Sequence, residues 1–540
     1  MLLLGIDLGT SSVKVSVVDA ATAKVLVSVQ YPETEAAITS RNPGWAEQSP
    51  ETWWENVQAA IRKAHATGTY DPNAIVAIGI AYQMHGLVLV DRAQQVLRDS
   101  IIWCDSRAVP YGERAFRQIG EARSLHHLLN SPGNFTAAKL AWVKDNEPAV
   151  YDRADKIMLP GDFIAMRLTG EITTHVPALS EGIFWDFIND EVSADVMEAF
   201  GLDRSLIPAI RPLFSPHGGV RADVAKALGL PRGIPVTYKA GDQPNNALSL
   251  RVMEPGEVAA NAGTSGVIYG VSDELTFDPR SRVNSFAHVN YAPAERVGGG
   301  GKAGGKVSGD MVSGDMASGG KASTGKAGGG MASAGKAGDG GKAGLRRVGV
   351  LLCINGTGIM NRWIRDLSGG SDYARLNAEA MALRPGAEGL TVLPFGNGAE
   401  RIFQNRIIGA QVLDIDLNIH GKAHVYRAGQ EGIAFAFRYG LDIMRENGMR
   451  PSVIRAGKAN MFLSPVFKEA FVNATGVPVE LLNSDGSVGA ALGAGIGAGI
   501  FRDSEAAFAG LKALEWVEPT RVAEYEQLYA RWKGRLEKFL

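Results

Sequence analysis

One acidic residue near the middle of the chain stands where ligands usually bind in α/β proteins. A β-prone run, Val236–Ala240, leads through Gly241 into Asp242, and a segment of small residues follows. The carboxyl ends of strands form the ligand-binding edge of an open α/β sheet. A carboxylate at that edge can accept the proton of a hydroxyl group while a phosphoryl group is transferred to the hydroxyl oxygen. The position therefore favours Asp242 as a general base in a small-molecule kinase.

A second acidic residue, Asp7, lies in an amino-terminal hairpin. The turn after it, Gly9–Ser12, consists of small and hydroxylated residues and leads into a strand that carries Lys14. Backbone N–H groups in such a turn can form a nest for phosphate, and Asp7 at its rim can hold a hydrated Mg²⁺. An ordinary hairpin with an Asp-stabilised turn explains the same residues, so this turn alone does not establish a phosphate-binding site. The phosphate-binding candidates here are Gly9, Thr10, Ser11 and Lys14.

Three further turns of small residues occur later in the chain, at Gly263–Gly266, Asn355–Gly358 and Arg455–Asn460. The first repeats the Gly-Thr-Ser pattern of the amino-terminal turn, which suggests two loops that hold a polyphosphate from opposite sides. The other two precede predicted helices, and helix amino termini with small residues let a nucleotide approach closely. The nucleotide-binding candidates are Gly263, Thr264, Gly358, Gly457 and Asn460.

His85 follows an apolar strand in the sequence Gln83-Met84-His85-Gly86. A histidine satisfied at a strand end is the usual explanation, but the neighbouring glycine allows a ligand to approach, so a contact with a substrate hydroxyl stays open. Asp105 and Asp162 also follow strand-like runs. Either can be a helix cap or an ion-pair partner, and both rank below His85 as site candidates.

The elements that must position these residues are those of a large α/β protein. The first strands, Leu2–Asp7, Val13–Asp19 and Val25–Gln30, form a meander, and strands alternate with helices further along. This pattern predicts mixed, largely parallel sheets covered by helices, in two halves with a cleft between them. The glycine-rich run Gly493–Gly499 lies within a predicted helix, which favours close helix packing over a dinucleotide-binding turn.

Composition and charge narrow the class of protein. The chain has 540 residues, 21% of them charged, and a formal net charge of −2, which points to no nucleic-acid or membrane partner. Its two cysteines lack a metal-binding or disulfide spacing, so we expect a cytoplasmic protein. Residues 298–344 contain no aromatic residue and repeat Gly-Lys-Ala five times, which predicts a disordered insertion without a role of its own.

Taken together, an ordered set of motifs resembles the FGGY carbohydrate kinases over essentially the whole chain apart from 298–344. The motifs are Gly5–Ser11, Trp45–Gln48, Gln83–Gly86, Trp103–Arg107, Gly241–Asp242 and Gly263–Gly266. The resemblance implies two actin-like (ribonuclease H-like) domains of mixed sheet with flanking helices around a central cleft. The first, residues 1–251, would bind the sugar and the second, residues 252–540, the nucleotide.

The same resemblance implies ATP- and Mg²⁺-dependent phosphorylation of a ketopentose, and the Gln83–Gly86 and Trp45–Gln48 elements favour D-xylulose. Asp242 resembles the catalytic base and Asp7 the acid that manages Mg²⁺ and phosphate. Two stretches, Gln243–Asn246 and Arg455–Gly457, depart from the family's usual residues, which leaves the exact sugar and the nucleotide affinity open. The sugar contacts that the resemblance implies are Gln83, Met84, His85, Trp103, Asp105 and Gln243.

Two rival functions share these features. Another sugar kinase, acting on ribulose, gluconate or glycerol, would differ only in its sugar contacts. An actin-like nucleotide-binding scaffold would keep the phosphate turns without the sugar chemistry, although the turn at Asp242 argues against it. The partners expected are the sugar and ATP, and a homodimer stays open as the assembly.

Overall fold

The computed structural model describes residues 1–293, 345–370, 372–483 and 485–540. The predicted insertion at 298–344 lies outside the described residues. Two mixed β-sheets with helices packed on them form the framework, which confirms the α/β fold class.

The first sheet is formed by the amino-terminal half of the chain. Its strands are β1 (Leu2–Leu8), β2 (Val13–Asp19), β3 (Val25–Tyr31), β4 (Ile75–Tyr82) and β5 (Val236–Gly241). Their order across the sheet is β5-β4-β1-β2-β3. Strands β1, β4 and β5 run parallel to one another, so the residues after Leu8, Tyr82 and Gly241 come to the same edge.

The second sheet repeats this plan and extends it. Its strands are β6 (Glu257–Ala262), β7 (Gly266–Ser272), β8 (Asn284–Ala287), β9 (Val348–Ile354), β10 (Val453–Gly457), β11 (Val479–Leu482) and β12 (Ala513–Val517). Their order is β8-β9-β7-β6-β10-β11-β12. The inner five, β9-β7-β6-β10-β11, have the arrangement of the first sheet, with two antiparallel pairings followed by two parallel ones.

The expectation of largely parallel sheets was wrong. Antiparallel pairings outnumber parallel ones within the described part of the two sheets. Two of these antiparallel pairings, β1–β2 and β6–β7, follow from the short Gly-Thr-Ser turns, because a turn of three or four residues can join only antiparallel strands, whereas parallel strands need a long crossover.

Helices cover both sheets. Those of six or more residues are α1 (Pro50–Ala66), α2 (Val109–Ile119), α3 (Glu121–Leu128), α4 (Thr136–Asn146), α5 (Pro160–Thr169), α6 (Val176–Glu181), α7 (Ala194–Phe200), α8 (Ala222–Leu228), α9 (Asp242–Ser249), α10 (Gly358–Leu367), α11 (Tyr373–Met381), α12 (Lys422–Glu446), α13 (Pro465–Thr475), α14 (Gly486–Gly497) and α15 (Val522–Leu536). Short strand pairs lie outside the main sheets: Glu47–Gln48 with Ser100–Ile101, Val88–Val90 with Lys156–Met158, Thr173–Thr174 with Ala209–Ile210, Trp185–Asp186 with Glu191–Val192, and Thr391–Leu393 with Gln411–Leu413. Among the described residues, none of the helices combines the length and apolar character needed to span a bilayer.

Helix α14, late in the chain, packs against the first sheet. A Cβ atom on Gly5 of β1 would lie 1.8 Å from the Ser487 carbonyl oxygen, and one on Gly79 of β4 would lie 1.9 Å from that of Ala490. The helix therefore lies directly on the strands, which explains the run of glycine and alanine within it and confirms the close-packing interpretation of Gly493–Gly499. The division into domains between residues 251 and 252 stays a proposal. Helix α14 belongs to the second part of the chain by sequence, but it packs on the sheet of the first part.

Candidate active site

Asp242 is the first residue of α9 and directly follows β5, so its partly buried carboxyl group stands at the carboxyl edge of the first sheet. Gly241 before it is crowded. A Cβ atom there would lie 2.6 Å from Glu181 Oε2 and 2.7 Å from Met84 Cγ. Only glycine lets the backbone pass between these two side chains, so the local sequence places Asp242 beside Met84.

Asp7 lies at the same edge, near the end of β1, and β4 separates β1 from β5. It pairs with Lys14 across the hairpin, and the Lys14 ammonium forms an ion pair with Asp485 at 2.8 Å. Asp485 caps α14 by accepting from the Ser487 N–H, and a Cβ atom on the next residue, Gly486, would lie 2.2 Å from Asp7 Oδ2. The Asp7 carboxyl group therefore sits against the amino terminus of α14.

Two acidic groups at this edge, Asp7 and Asp242, have raised pKa values. Partial burial and, next, the charge of Asp485 raise the pKa of Asp7 to about 6, against the lowering effect of Lys14. Partial burial and the charge of Asp7 raise the pKa of Asp242 to about 7. A carboxyl group whose pKa lies near neutrality is suited to take up and release a proton under physiological conditions.

The Asp7 carboxyl group has the chemistry to hold a hydrated divalent cation. The charges of Asp485 and Lys14 act on it, and its own charge acts on Asp242. Hard divalent cations prefer oxygen ligands and lower the pKa of nearby carboxylates. Asp7 is thus suited to hold a hydrated Mg²⁺, as predicted from its place at the rim of the turn.

The amino-terminal turn, Gly9–Ser12, is hydrogen-bonded to the residues after β4. The Thr10 hydroxyl donates to Gln83 Oε1 at 3.1 Å and accepts from Trp103 Nε1 at 2.9 Å. Gln48 joins the network, because its Nε2 donates to the Thr10 carbonyl at 2.8 Å while its Oε1 accepts from Gln83. Within the turn, the Gly9 N–H donates to the Ser12 carbonyl at 3.0 Å. Ser11 is exposed next to it. Gln83 and Trp103 therefore contact the turn directly.

His85 has an unusual backbone conformation, with a φ angle of +63°. Several groups hold it there. Its carbonyl accepts from Lys139 Nζ at 2.9 Å and from the Thr136 hydroxyl at 3.2 Å, and its ring Nδ1 lies 2.9 Å from the Glu181 carbonyl. Burial and the nearby Lys139 lower the pKa of His85 to about 3, so the ring is neutral and can hydrogen-bond a hydroxyl.

Asp105 and Gln243 differ in how far their polar atoms are already engaged. The buried Asp105 carboxylate accepts from the Arg107 guanidinium at 2.7 Å and from the Ala46 N–H at 2.6 Å. Its hydrogen bonds therefore join the segment around Asp105 to the segment around Ala46. Gln243 Oε1 is buried and has no hydrogen-bond partner in the described part of the chain. That oxygen is free to accept a hydrogen bond from a ligand.

A cavity of about 380 Å³ lies in the second half of the molecule. It contains four of the five predicted nucleotide contacts, Gly263, Thr264, Gly358 and Asn460, whereas Gly457 is not among its lining residues. The turn between β6 and β7 is locked to the start of α10, since the Gly358 N–H donates to the Gly263 carbonyl at 2.9 Å. The remaining wall is partly aromatic and apolar: Tyr373, Tyr426, Met461 and Leu463. A phosphate-binding helix start next to an apolar wall suits a nucleotide.

Sequence reasoning missed three groups at the site: Asp485, Lys139 and Glu181. A signal existed for Asp485, because an Asp-Gly-Ser sequence before a helix is a typical capping pattern. Lys139 and Glu181 gave no local signal. They lie on helices α4 and α6, and only the tertiary fold brings them to His85.

Comparison with known proteins agrees with this geometry. Residues 2–249 match the profile of the N-terminal domain of the FGGY family of carbohydrate kinases. Over nearly its full length the chain is 29% identical to the xylulose kinase of Escherichia coli strain K12, covering 99% of this chain and 97% of that protein. Residues 2–249 therefore belong to the FGGY family of carbohydrate kinases, and the similarity to a xylulose kinase extends over nearly the whole chain.

Solved structures show the same fold. The xylulose kinase of Rhodospirillum rubrum superposes with a TM-score of 0.80 at 24% identity, over 100% of this chain and 99% of that one. The glycerol kinase of Plasmodium falciparum, solved with ADP, superposes with a TM-score of 0.81 at 17% identity, over 100% and 98%. Kinases with different names share this FGGY fold equally well, so the fold by itself does not select the sugar.

Proposed function

We propose that the protein phosphorylates a ketopentose with ATP, and that D-xylulose is the acceptor and D-xylulose 5-phosphate the product. The observation that carries the proposal is the position of Asp242. Its carboxyl group stands at the carboxyl edge of the first sheet, with Met84 packed against the preceding residue and the charge of Asp7 acting on it. The full-length likeness to a xylulose kinase supports the choice of sugar.

In the chemical step, Asp242 accepts the proton of the terminal sugar hydroxyl. The hydroxyl oxygen forms a bond to the γ-phosphorus of ATP, while the bond from that phosphorus to the β–γ bridging oxygen breaks and ADP leaves. Met84, His85 and Gln243 orient the sugar, with Gln83 and Trp103 linking that subsite to the first turn. A base held in this way contributes roughly 10²–10⁴-fold to the rate.

The nucleotide and its metal ion would be held by residues of both halves. Gly9, Thr10, Ser11 and Lys14 would contact phosphate oxygens from the first turn, while Gly263, Thr264, Gly358 and Asn460 would hold the nucleotide in the cavity. Gly457 is proposed as a further contact. Asp7 would bind Mg²⁺, which neutralises charge on the phosphates when it is bound.

The two-domain division at residues 251 and 252 completes the proposal, with the sugar in the first domain and the nucleotide in the second. A reducing cytoplasm suits the two free cysteines, Cys104 and Cys353. A homodimer is the assembly to test.

A panel of sugars tests the proposal. The purified protein with ATP and Mg²⁺ is offered D-xylulose, D-ribulose, gluconate and glycerol, and ADP release is coupled to a spectroscopic signal. We expect D-xylulose to give a kcat/KM at least tenfold above the others and a 5-phosphate product by NMR. A preference for another of the four sugars would replace D-xylulose with that sugar. ATP hydrolysis without any dependence on sugar would favour the nucleotide-binding scaffold.

A further inference from the structure

Glu181 is a buried carboxyl group that touches both the proposed base strand and a proposed sugar contact. Its side chain is 1% exposed. Its Oε1 accepts from the His85 N–H at 3.4 Å, and its Oε2 lies 2.6 Å from the point that a Cβ atom on Gly241 would occupy. Glu181 therefore lies between His85 and the residue that precedes Asp242.

No ion pair accounts for the burial of this carboxyl group. Within the described ranges, no lysine or arginine forms a salt bridge with Glu181, and two lysines of this region are engaged elsewhere. Lys139 donates to the His85 carbonyl, and Lys239 is paired with Asp162 at 2.6 Å. Burial and the charges of Asp242 and Asp162 hold the pKa of Glu181 well above its ordinary value. A carboxyl group offers two oxygens to a hydroxyl group, as donor when it is protonated and as acceptor when it is ionised.

Two other buried polar atoms in this neighbourhood lack partners among the residues that the structure describes. They are Gln243 Oε1, on the residue after the proposed base, and the Tyr82 hydroxyl, at the end of β4. The charges of both Glu181 and Asp242 act on the Tyr82 hydroxyl. Buried polar atoms without a partner are rare in folded proteins. A ligand with several hydroxyl groups would supply the missing partners, whereas an apolar ligand would not.

We propose that Glu181 determines sugar specificity by forming a hydrogen bond with one hydroxyl group of the acceptor, next to the hydroxyl that is phosphorylated. The inference rests on the proposed function, because it takes the acceptor to be a neutral sugar bound beside Asp242. Removing the carboxyl group leaves the sugar hydroxyl desolvated and unpaired, and each such loss costs about 10- to 100-fold in kcat/KM.

Two variants of matched size test the proposal. Glu181→Gln keeps an N–H donor, while Glu181→Met keeps the volume and removes all hydrogen bonding. D-Xylulose and a series of its monodeoxy analogues are compared. The parent should prefer D-xylulose over one analogue by about 10- to 100-fold; Glu181→Met should lose that preference, and Glu181→Gln should retain most of it. The proposal is overturned if Glu181→Met keeps the parent's preference for every analogue, or lowers kcat/KM by the same factor for all sugars.

Controls separate this role from a structural one. Glu431→Gln removes the charge of a buried glutamate that is paired with Arg427 in the second half at 2.8 Å, and it should leave the ranking of sugars unchanged. Replacing a buried unpaired acid by an apolar residue of similar volume is usually tolerated, so Glu181→Met should fold, as its melting temperature will show. If Glu181→Met does not fold, Glu181→Ala replaces it in the same comparison.

Calorimetric titration of sugar without ATP distinguishes failure of this inference from failure of the proposed function. If the parent binds D-xylulose but transfers no phosphate, and Glu181→Met loses the binding, the kinase proposal fails and the role of Glu181 stands. If the parent is active and Glu181→Met binds and reacts as the parent does, only the inference fails. If the parent neither binds nor phosphorylates any sugar, both fail.

Discussion

At the scale of single residues, the ionised carboxylates of Asp242 and Asp7 lower the stability of the folded protein. Asp242 and Asp7 share one edge of the sheet, and each has a pKa raised above the ordinary value for aspartate. A folded state that raises the pKa of an acid binds its proton more tightly than the unfolded state does. Stability is therefore lost as the pH rises from the unfolded pKa, near 4, to the folded one.

This linkage predicts that Asp242→Asn is more stable than the parent at pH 8. The gain should be about 1–3 kcal/mol in the free energy of unfolding, it should decline between pH 7 and pH 4, and it should vanish below pH 4, where the aspartate is protonated in both states. Urea denaturation at pH 8 and pH 4, without ligands, measures it. Asp223→Asn, at an exposed aspartate on α8, is the matched control and should show no such gain. Equal stability of Asp242→Asn and the parent at both pH values would contradict the assigned environment of Asp242.

At the scale of elements, the strands and turns that depend on neighbouring residues could be predicted from the sequence. The meander β1–β3, the Gly-Thr-Ser turns and the strand before Asp242 follow from short-range patterns of β-prone, small and acidic residues. The approach of α14 to β1 and β4 could not be predicted, because it joins residues more than 400 positions apart and depends on two glycines that look ordinary in their strands. Glu181 and Lys139 escaped prediction for the same reason, since their neighbours are set by helix packing.

The contact between α14 and the first sheet predicts that Gly79→Ala is strongly destabilising. The new methyl group would lie 1.9 Å from the Ala490 carbonyl oxygen, and backbone on both sides must move to admit it. We expect a loss of about 2–3 kcal/mol, seen as a lower midpoint of urea denaturation. Gly534→Ala is the control, because the same change in α15 meets open space and should raise stability by about 0.5–1 kcal/mol. Gly79→Ala with a midpoint equal to the parent's would show that α14 does not lie on β4 in solution.

At the scale of the whole molecule, two sheets share one design, and each has a Gly-Thr-Ser turn between two of its antiparallel strands. The inner five strands have the same order and pairing in both halves. Contacts between the halves include the donation from Asn245 Nδ2 to the Gly486 carbonyl at 2.9 Å, beside the acidic cluster. Because the proposed site draws on both halves, we expect its activity to depend on their correct association.

The residues that flank 294–344 predict that this segment can be shortened without loss of activity. The Ala292 N–H donates to the Leu345 carbonyl at 2.8 Å, so the two ends already stand at hydrogen-bonding distance next to β8 and β9. Replacing residues 294–344 by a four-residue Gly-Asn-Gly-Ser turn should leave kcat and KM within about twofold of the parent, since closing a shorter loop lowers its entropic cost. Steady-state kinetics and the melting temperature measure the effect. A loss of activity of tenfold or more in a folded variant would assign the segment a role.

The role of Asp242 is tested most directly by the turnover of Asp242→Asn with D-xylulose, ATP and Mg²⁺, measured beside Asp223→Asn. The asparagine keeps the size and hydrogen-bonding reach of the side chain and cannot take up the proton. We expect Asp242→Asn to fold, to bind the sugar, and to lose about 10²–10⁴-fold in kcat, while Asp223→Asn stays within about twofold of the parent. A kcat for Asp242→Asn within tenfold of the parent would contradict its assignment as the base.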